Sequence, residues 1–311
     1  MIVRWSLDEL PSVLDELGLE RPFLVASPRW TLELPSIGRW PVVPSPEIEV
    51  PAGADSLLAL GGGSAIDSAK HASSQSGLPL VSIPTTYSGA EWTPGYGIRT
   101  PDRRMVGGGG GANLAGIVYE VELTLDLPRA ETVGTAMNAL AHCAEALYVR
   151  GRSDAGDRRA LEGAALIAEW LPQVVERPGD RDAREALLGG AAAAGEALAL
   201  AGLGIAHAMA QALGGRYGLP HGTMNALCLP PGLRFAEGEE PEAVARFRAA
   251  LGRETVDGLA GLGGFESLRG LGVPEADLPE VAAAAAGRAG NRNMPQPASP
   301  AEIEALLRSI Y

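Results

Sequence analysis

Three of the four histidines, His142, His207 and His221, fall in the part of the chain after residue 128. In Met137-Asn138-Ala139-Leu140-Ala141-His142, Asn138 and His142 are four residues apart, so a helix would put both on one face. His207 sits in a strongly apolar stretch. His221 follows Leu219-Pro220 and precedes Gly222, a turn that could open another helix. Three imidazoles converging between helices would make either a metal site or a proton-transfer site; taken singly, each is as well explained by packing or solvation. A second constellation is Gly61-Gly62-Gly63-Ser64-Ala65-Ile66-Asp67-Ser68-Ala69-Lys70. Glycines let a backbone turn sharply and let a ligand come close. A helix opening there presents unpaired N–H groups and a positive dipole end to a phosphate or pyrophosphate, and Ser64 stands where an N-cap or phosphate-contacting hydroxyl would.

The elements around these residues follow from pattern. Ser56-Leu57-Leu58-Ala59-Leu60 reads as a strand entering the glycines, and residues 65–74 read as a helix leaving them. Pro22–Ala26, Leu80–Ile83 and Gly116–Tyr119 read as further strands, and Leu7–Leu17 as a helix. Strand, helix and strand in that order imply a right-handed parallel crossover. The five glycines at 107–111 read as a loose turn, and residues 35–54 are Pro-rich without a long periodic segment. After Leu127-Pro128 the chain becomes rich in Ala, Leu, Glu and Arg, and helices are expected over 130–151, 154–175, 183–202, 203–215, 240–252, 254–270, 277–289 and 300–310. The expected fold is α/β plus all-α, divided near residue 128: a parallel-sheet domain over 1–128 and a helical catalytic domain over 129–311.

Bulk properties narrow the class. The 311 residues suffice for two domains, and 46% hydrophobic with 20% charged residues is a globular profile. A formal net charge of -13 without a basic cluster argues against nucleic acid or an anionic membrane surface as a partner. Two cysteines, Cys143 and Cys228, are too few for a disulfide framework and suggest a reducing, cytoplasmic setting. No apolar run approaches the roughly 20 residues needed to span a bilayer.

Together the motifs resemble the iron-containing alcohol dehydrogenase superfamily, and most of all its maleylacetate reductase branch. The matching stretches are Gly61–Ser64 with Asp67 and Lys70; Pro84-Thr85-Thr86-Tyr87-Ser88-Gly89-Ala90-Glu91-Trp92-Thr93; Leu123-Thr124 with Leu127-Pro128; Met137–His142 with Glu145-Ala146-Leu147-Tyr148; and Leu219–Gly222 with Asn225-Ala226 and Leu229-Pro230. The resemblance implies an N-terminal Rossmann-like domain and a C-terminal helical domain, the dehydroquinate synthase-like fold, with a nicotinamide cofactor in the cleft between them. Gly61, Gly62, Gly63 and Ser64 would hold the pyrophosphate. Thr85, Thr86 and Ser88 would line the adenosine and phosphate side, and Asp67 would lie near the nicotinamide ribose. In metal-dependent members an Asp and three His hold the ion; here Asn138 takes the Asp position, with His142, His207 and His221 at the His positions. Asn brings no charge, so a divalent metal (Zn or Fe) is doubtful, although three imidazoles could still bind zinc. The reductase branch carries the same Asn and generally needs no metal, which leaves proton transfer and substrate orientation to these side chains. Gln211 stands where relatives usually have a further His four residues after His207. Glutamine cannot titrate.

The implied activity is NAD(P)H-dependent transfer of hydride to a small carbonyl or enone. The alternatives are a metal-dependent alcohol or aldehyde dehydrogenase, a nucleotide-binding protein without dehydrogenase activity, and a dehydroquinate synthase-like cyclase. The stretch Ala26-Ser27-Pro28-Arg29 has no acid and one Arg, which is permissive for NADP. Arg104 and Arg216 are candidate partners for a dicarboxylate substrate. The resemblance also implies a homodimer, although the N-terminal strand pair usual in the family is expected to be absent.

Overall fold

The computed structural model describes residues 1–311. The chain divides into two compact units: Met1–Thr86 with Ala90–Leu127, and Pro128–Tyr311 with the three residues Tyr87–Gly89.

The first unit is built on six parallel strands. They are β1 (Ile2–Arg4), β2 (Pro22–Val25), β3 (Arg39–Trp40), β4 (Ser56–Gly61), β5 (Pro79–Pro84) and, after a hairpin of β6 (Tyr96–Arg99) and β7 (Met105–Gly109), β8 (Asn113–Val118). The sheet order is β1-β8-β5-β4-β2-β3. Pairing is in register from Leu57 opposite Leu80 to Gly61 opposite Pro84. Successive side chains of a strand point to opposite faces, and two cores result. Leu58, Leu60, Val81 and Ile83 pack with Leu10, Val13 and Leu14 of helix α1 (Leu10–Leu17). Leu57, Ala59 and Leu80 pack with Ile66 and Ala69 of helix α2 (Gly63–Ser76). All six residues of β4 are buried, as a central parallel strand covered on both faces must be. Burying each such Leu or Ile is worth about 2 kcal/mol.

Residues Ile2–Arg4 form a single strand, parallel to β8 and at the sheet edge. One expectation fails here. Three of the five consecutive glycines, Gly107–Gly109, are not a loose turn but lie in β7, held by pairing with Tyr96–Ile98. Side-chain propensity says nothing for such a strand; its ladder comes from β6.

The second unit is helical. Its helices are α3 (Arg129–Ala146), α4 (Asp154–Glu176), α5 (Arg181–Ala201), α6 (Ile205–Tyr217), α7 (His221–Glu239), α8 (Pro241–Ala250), α9 (Val256–Gly261), α10 (Leu278–Ala286), α11 (Ala289–Arg292) and α12 (Pro300–Arg308). The Ser153 and Asp180 side chains cap α4 and α5, and Ser299 with Glu302 forms a capping box on α12. The helix expected over 254–270 shrinks to Val256–Gly261. Helix α7, only hinted at by the turn at His221, runs through Pro230 and Pro231. Two interior prolines each forgo an N–H bond; packing against α3, α6 and α8 offsets that loss. No single helix is long and apolar enough to cross a membrane.

Candidate active site

In the α/β unit the glycine turn lies at the carboxyl end of β4. Gly61 has φ +150, and a Cβ there would come within 2.8 Å of the Ala65 Cβ. A Cβ on Gly62 would be 2.8 Å from Thr86 Cγ2. Side chains are therefore excluded at both positions. Helix α2 opens at Gly62 without a side-chain cap, leaving first-turn N–H groups for an incoming anion. Beside the turn, Thr85 N–H donates to the Gly61 carbonyl at 3.1 Å. The buried hydroxyls of Thr85 and Thr86 have no hydrogen-bond partner. Uncapped N–H groups and orphaned hydroxyls, flanking a turn too tight for side chains, fit the phosphates of a dinucleotide.

Asp67 is engaged elsewhere. One oxygen lies 3.5 Å from Lys70 Nζ, and the other accepts from Gly97 N–H and Arg99 Nη1, each at 3.2 Å. Its carboxylate ties the β6–β7 hairpin to α2. Lys70 Nζ donates to the Gly95 carbonyl at 2.8 Å, and the ammonium is buried. Burial lowers the Lys70 pKa from its ordinary value, against the pull of Asp67 and Glu91. Glu91 is fully buried and accepts from the Tyr119 hydroxyl at 2.8 Å through Oε1. Its Oε2 has no partner, and burial raises the carboxyl pKa.

In the helical unit one connected network joins the histidines. Asn138 Nδ2 donates to the Ser88 carbonyl at 2.7 Å, which turns Oδ1 inward as an acceptor. That oxygen receives Asn225 Nδ2 at 2.7 Å and His207 Nε2 at 3.1 Å. On the other edge of the ring, His207 Nδ1 meets Glu145 Oε2 at 2.7 Å. Glu145 also accepts from Gly204 N–H at 2.7 Å and His207 N–H at 3.0 Å, so it caps the start of α6 from α3. Asn225 Nδ2 lies 3.0 Å from His221 Nε2. His142 stacks on His207 with ring centroids 4.6 Å apart, and the His207 and His221 centroids are 5.8 Å apart.

The polarity of this network follows from its ends. A backbone carbonyl can only accept, so Asn138 presents nitrogen to Ser88 and oxygen to His207. His207 then faces an amide oxygen with one nitrogen and a carboxylate with the other. Asn225 Nδ2 also lies 3.1 Å from the His221 carbonyl, so its two hydrogens are shared among Asn138, the His221 ring and the His221 backbone.

Asn138, His142, His207 and His221 are thus brought together as expected. Ser88 joins them through its backbone carbonyl. Glu145 and Asn225 carry the network's hydrogen bonds, yet pattern reading gave neither a role. Their signal was spacing: Glu145 is three residues after His142, and Asn225 four after His221. Gln211 lies one turn after His207 on α6, half-buried. Arg216 is spent on Asp277 and Glu280 at 3.1 and 2.7 Å, and Arg104 on Asp102 at 3.4 Å.

Comparison with known proteins places this arrangement. The family described as Fe-containing alcohol dehydrogenase family, C-terminal, matches residues 132–311, and that described as iron-containing alcohol dehydrogenase matches residues 50–112. The chain belongs to the iron-containing alcohol dehydrogenase family. It is 36% identical over 264 residues to a maleylacetate reductase of Rhizobium sp. strain MTP-10005, covering 84% of this chain and 75% of that one. A maleylacetate reductase of Burkholderia cepacia is 35% identical over 264 residues, 83% and 74% of the two chains. The crystal structure of the Rhizobium enzyme superimposes with TM-score 0.86 at 30% identity, covering 100% of this chain and 95% of that one. The protein is an NAD(P)H-dependent oxidoreductase of the maleylacetate reductase type.

The donor set bears on the metal in the family's name. No group of three or more His, Cys, Asp or Glu side chains is arranged to hold an ion. Both ring nitrogens of His207 lie against side-chain oxygens, and Asn138 brings an amide where charge would be needed.

Proposed function

We propose that this oxidoreductase reduces maleylacetate, or a short unsaturated keto acid close to it, without a metal. The observation that carries the reading is the Asn138–His207–Glu145 chain, in which both ring nitrogens of His207 lie within hydrogen-bond distance of side-chain oxygens and an amide stands where a metal site would need charge. NAD(P)H, when bound, supplies the hydride, and the glycine turn with Thr85 and Thr86 holds its phosphates. Ser88 serves the histidine network through its carbonyl. Asp67 ties the hairpin to α2 close to the glycine turn.

In reducing a conjugated carbon–carbon double bond, one alkene carbon takes the hydride with its electron pair. The neighbouring carbon takes a proton. His221 supplies that proton and recovers one from solvent. His142, stacked on His207, orients the carbonyl oxygen on which negative charge grows. His207, held between Glu145 and Asn138, fixes the ring on which His142 stacks.

The test is oxidation of NADPH and NADH with maleylacetate and a panel of small aldehydes and ketones, in EDTA and with added zinc or iron. Maleylacetate turnover that survives EDTA is expected. Turnover of simple aldehydes only with added metal would overturn the reading in favour of a metal-dependent dehydrogenase, and silence throughout in favour of a nucleotide binder.

A further inference from the structure

The loop that follows β2 is braced in an unusual way. Arg39, on β3, sends its guanidinium into three carbonyls of that loop: Nε to Ala26 at 3.0 Å, Nη1 to Trp30 at 2.8 Å, and Nη2 to Ser27. The brace fixes the backbone of residues 26–30. Trp30 is held against the glycine turn, with Nε1 3.9 Å from where a Cβ of Gly61 would stand. Arg29 lies over the Trp30 ring with Cζ 4.6 Å from its centroid, and its side chain is exposed. Strands β2 and β4 are parallel neighbours, so this loop and the glycine turn leave the same end of the sheet side by side.

That position has a defined chemistry. In open α/β sheets a ligand lies outside the carboxyl ends of the strands where their order reverses, here between β2 and β4, so the loop after β2 borders the same crevice as the glycine turn. A carboxylate there accepts from the 2′-hydroxyl and repels a 2′-phosphate, whereas an arginine receives the phosphate. The other neighbour of β4 is β5, whose end is Thr85-Thr86, without a cation. From Ala26 to Arg29 there is no acid, and the one charge is Arg29. A guanidinium stacked on an indole keeps its donor edge outward.

We propose that Arg29, carried on Trp30 and braced by Arg39, is a 2′-phosphate clamp that makes this chain prefer NADPH to NADH. The proposal rests on the cofactor reading above and adds the determinant of cofactor choice. It is tested by titration calorimetry with 2′,5′-ADP and 5′-AMP, and with NADPH and NADH, on the wild type, Arg29→Ala and Arg29→Lys. The wild type is expected to bind 2′,5′-ADP about tenfold tighter than 5′-AMP, as one charge-assisted arginine–phosphate pair allows. Arg29→Ala removes that difference by weakening 2′,5′-ADP while leaving 5′-AMP within about twofold, and Arg29→Lys falls between. Equal affinities for the two nucleotides in the wild type, or equal losses in Arg29→Ala, overturn the clamp and leave the cofactor reading standing. Failure to bind either NADPH or NADH overturns both.

Discussion

At the scale of single residues, Asn138 decides what the histidines can do. Its amide donates to one carbonyl and accepts from Asn225 and His207. A carboxylate in its place has no proton for the Ser88 carbonyl and would set two oxygens 2.7 Å apart. Asn138→Asp is therefore expected to lower kcat in EDTA by about tenfold or more, the cost of one broken buried hydrogen bond plus a displaced His207. The Kd for NADPH should stay unchanged. Steady-state kinetics with parallel calorimetry checks this, and an Asp variant with full activity in EDTA would sink the metal-free reading. Glu91 offers a pH test. Its folded-state pKa is raised above the ordinary 4.5 by burial. Such a carboxyl contributes stability that is fully present below 4.5 and is lost as pH rises through the raised value. Lys70, lowered, runs the other way: its contribution is lost as pH falls through its folded value. Glu91→Gln isolates the first trend, since an amide oxygen can still accept from Tyr119. Measured from pH 4 to 9, the wild-type melting temperature should fall relative to Glu91→Gln as pH rises; a constant difference would show that Glu91 does not titrate in that window.

At the scale of elements, the site depends on how closely α3 and α7 approach, because α3 carries Asn138 and His142 while α7 carries His221 and Asn225. Gly222 makes that approach. A Cβ there would lie 2.5 Å from the Gly134 carbonyl carbon and 2.7 Å from its oxygen, backbone that cannot swing aside. Gly222→Ala should destabilise the protein by about 2 kcal/mol through overpacking and lower kcat by more than tenfold, read from chemical denaturation and kinetics. A stable variant with normal kcat would mean that the helices have slack. The sequence discloses these elements unevenly. The strand–glycine–helix unit at 56–76 and the long helices of the second half are legible, since period and punctuation agree with packing. Helix α7 is not, because Pro230 and Pro231 contradict a helix that neighbouring helices enforce. Strand β7 is not, because Gly107–Gly109 have no side chains to show a pattern. The site was legible as a set of histidines but not as a network. Glu145 looks like any helix acid until α6 is seen to start against it, and Tyr87–Gly89 looks like part of the sheet unit until α3 is found bonded to it.

At the scale of the whole molecule, two units with separate cores bear two separable duties, and ligand linkage can tell them apart. A cofactor that binds only the native α/β unit stabilises it by about 2.7 kcal/mol at one hundred times its Kd. Unfolding entropy scales with the number of residues that melt together. NADPH should therefore raise the melting temperature by about 4 °C if all 311 residues unfold as one transition, and by about 10 °C if the α/β unit unfolds alone. EDTA should shift neither transition, since the hydrogen bonds from Ser88 through Asn138 and His207 to Glu145 complete the helical unit without an ion. Scanning calorimetry of the full chain, alone, with saturating NADPH and with EDTA, measures all three. A helical-unit transition that drops in EDTA would show that a metal holds that core, and the roles given to His207 and Asn138 would then belong to coordination. An α/β transition unmoved by NADPH would remove the glycine turn, with its orphaned Thr85 and Thr86 hydroxyls, from cofactor binding and leave their exclusion of side chains at Gly61 and Gly62 as a matter of packing alone.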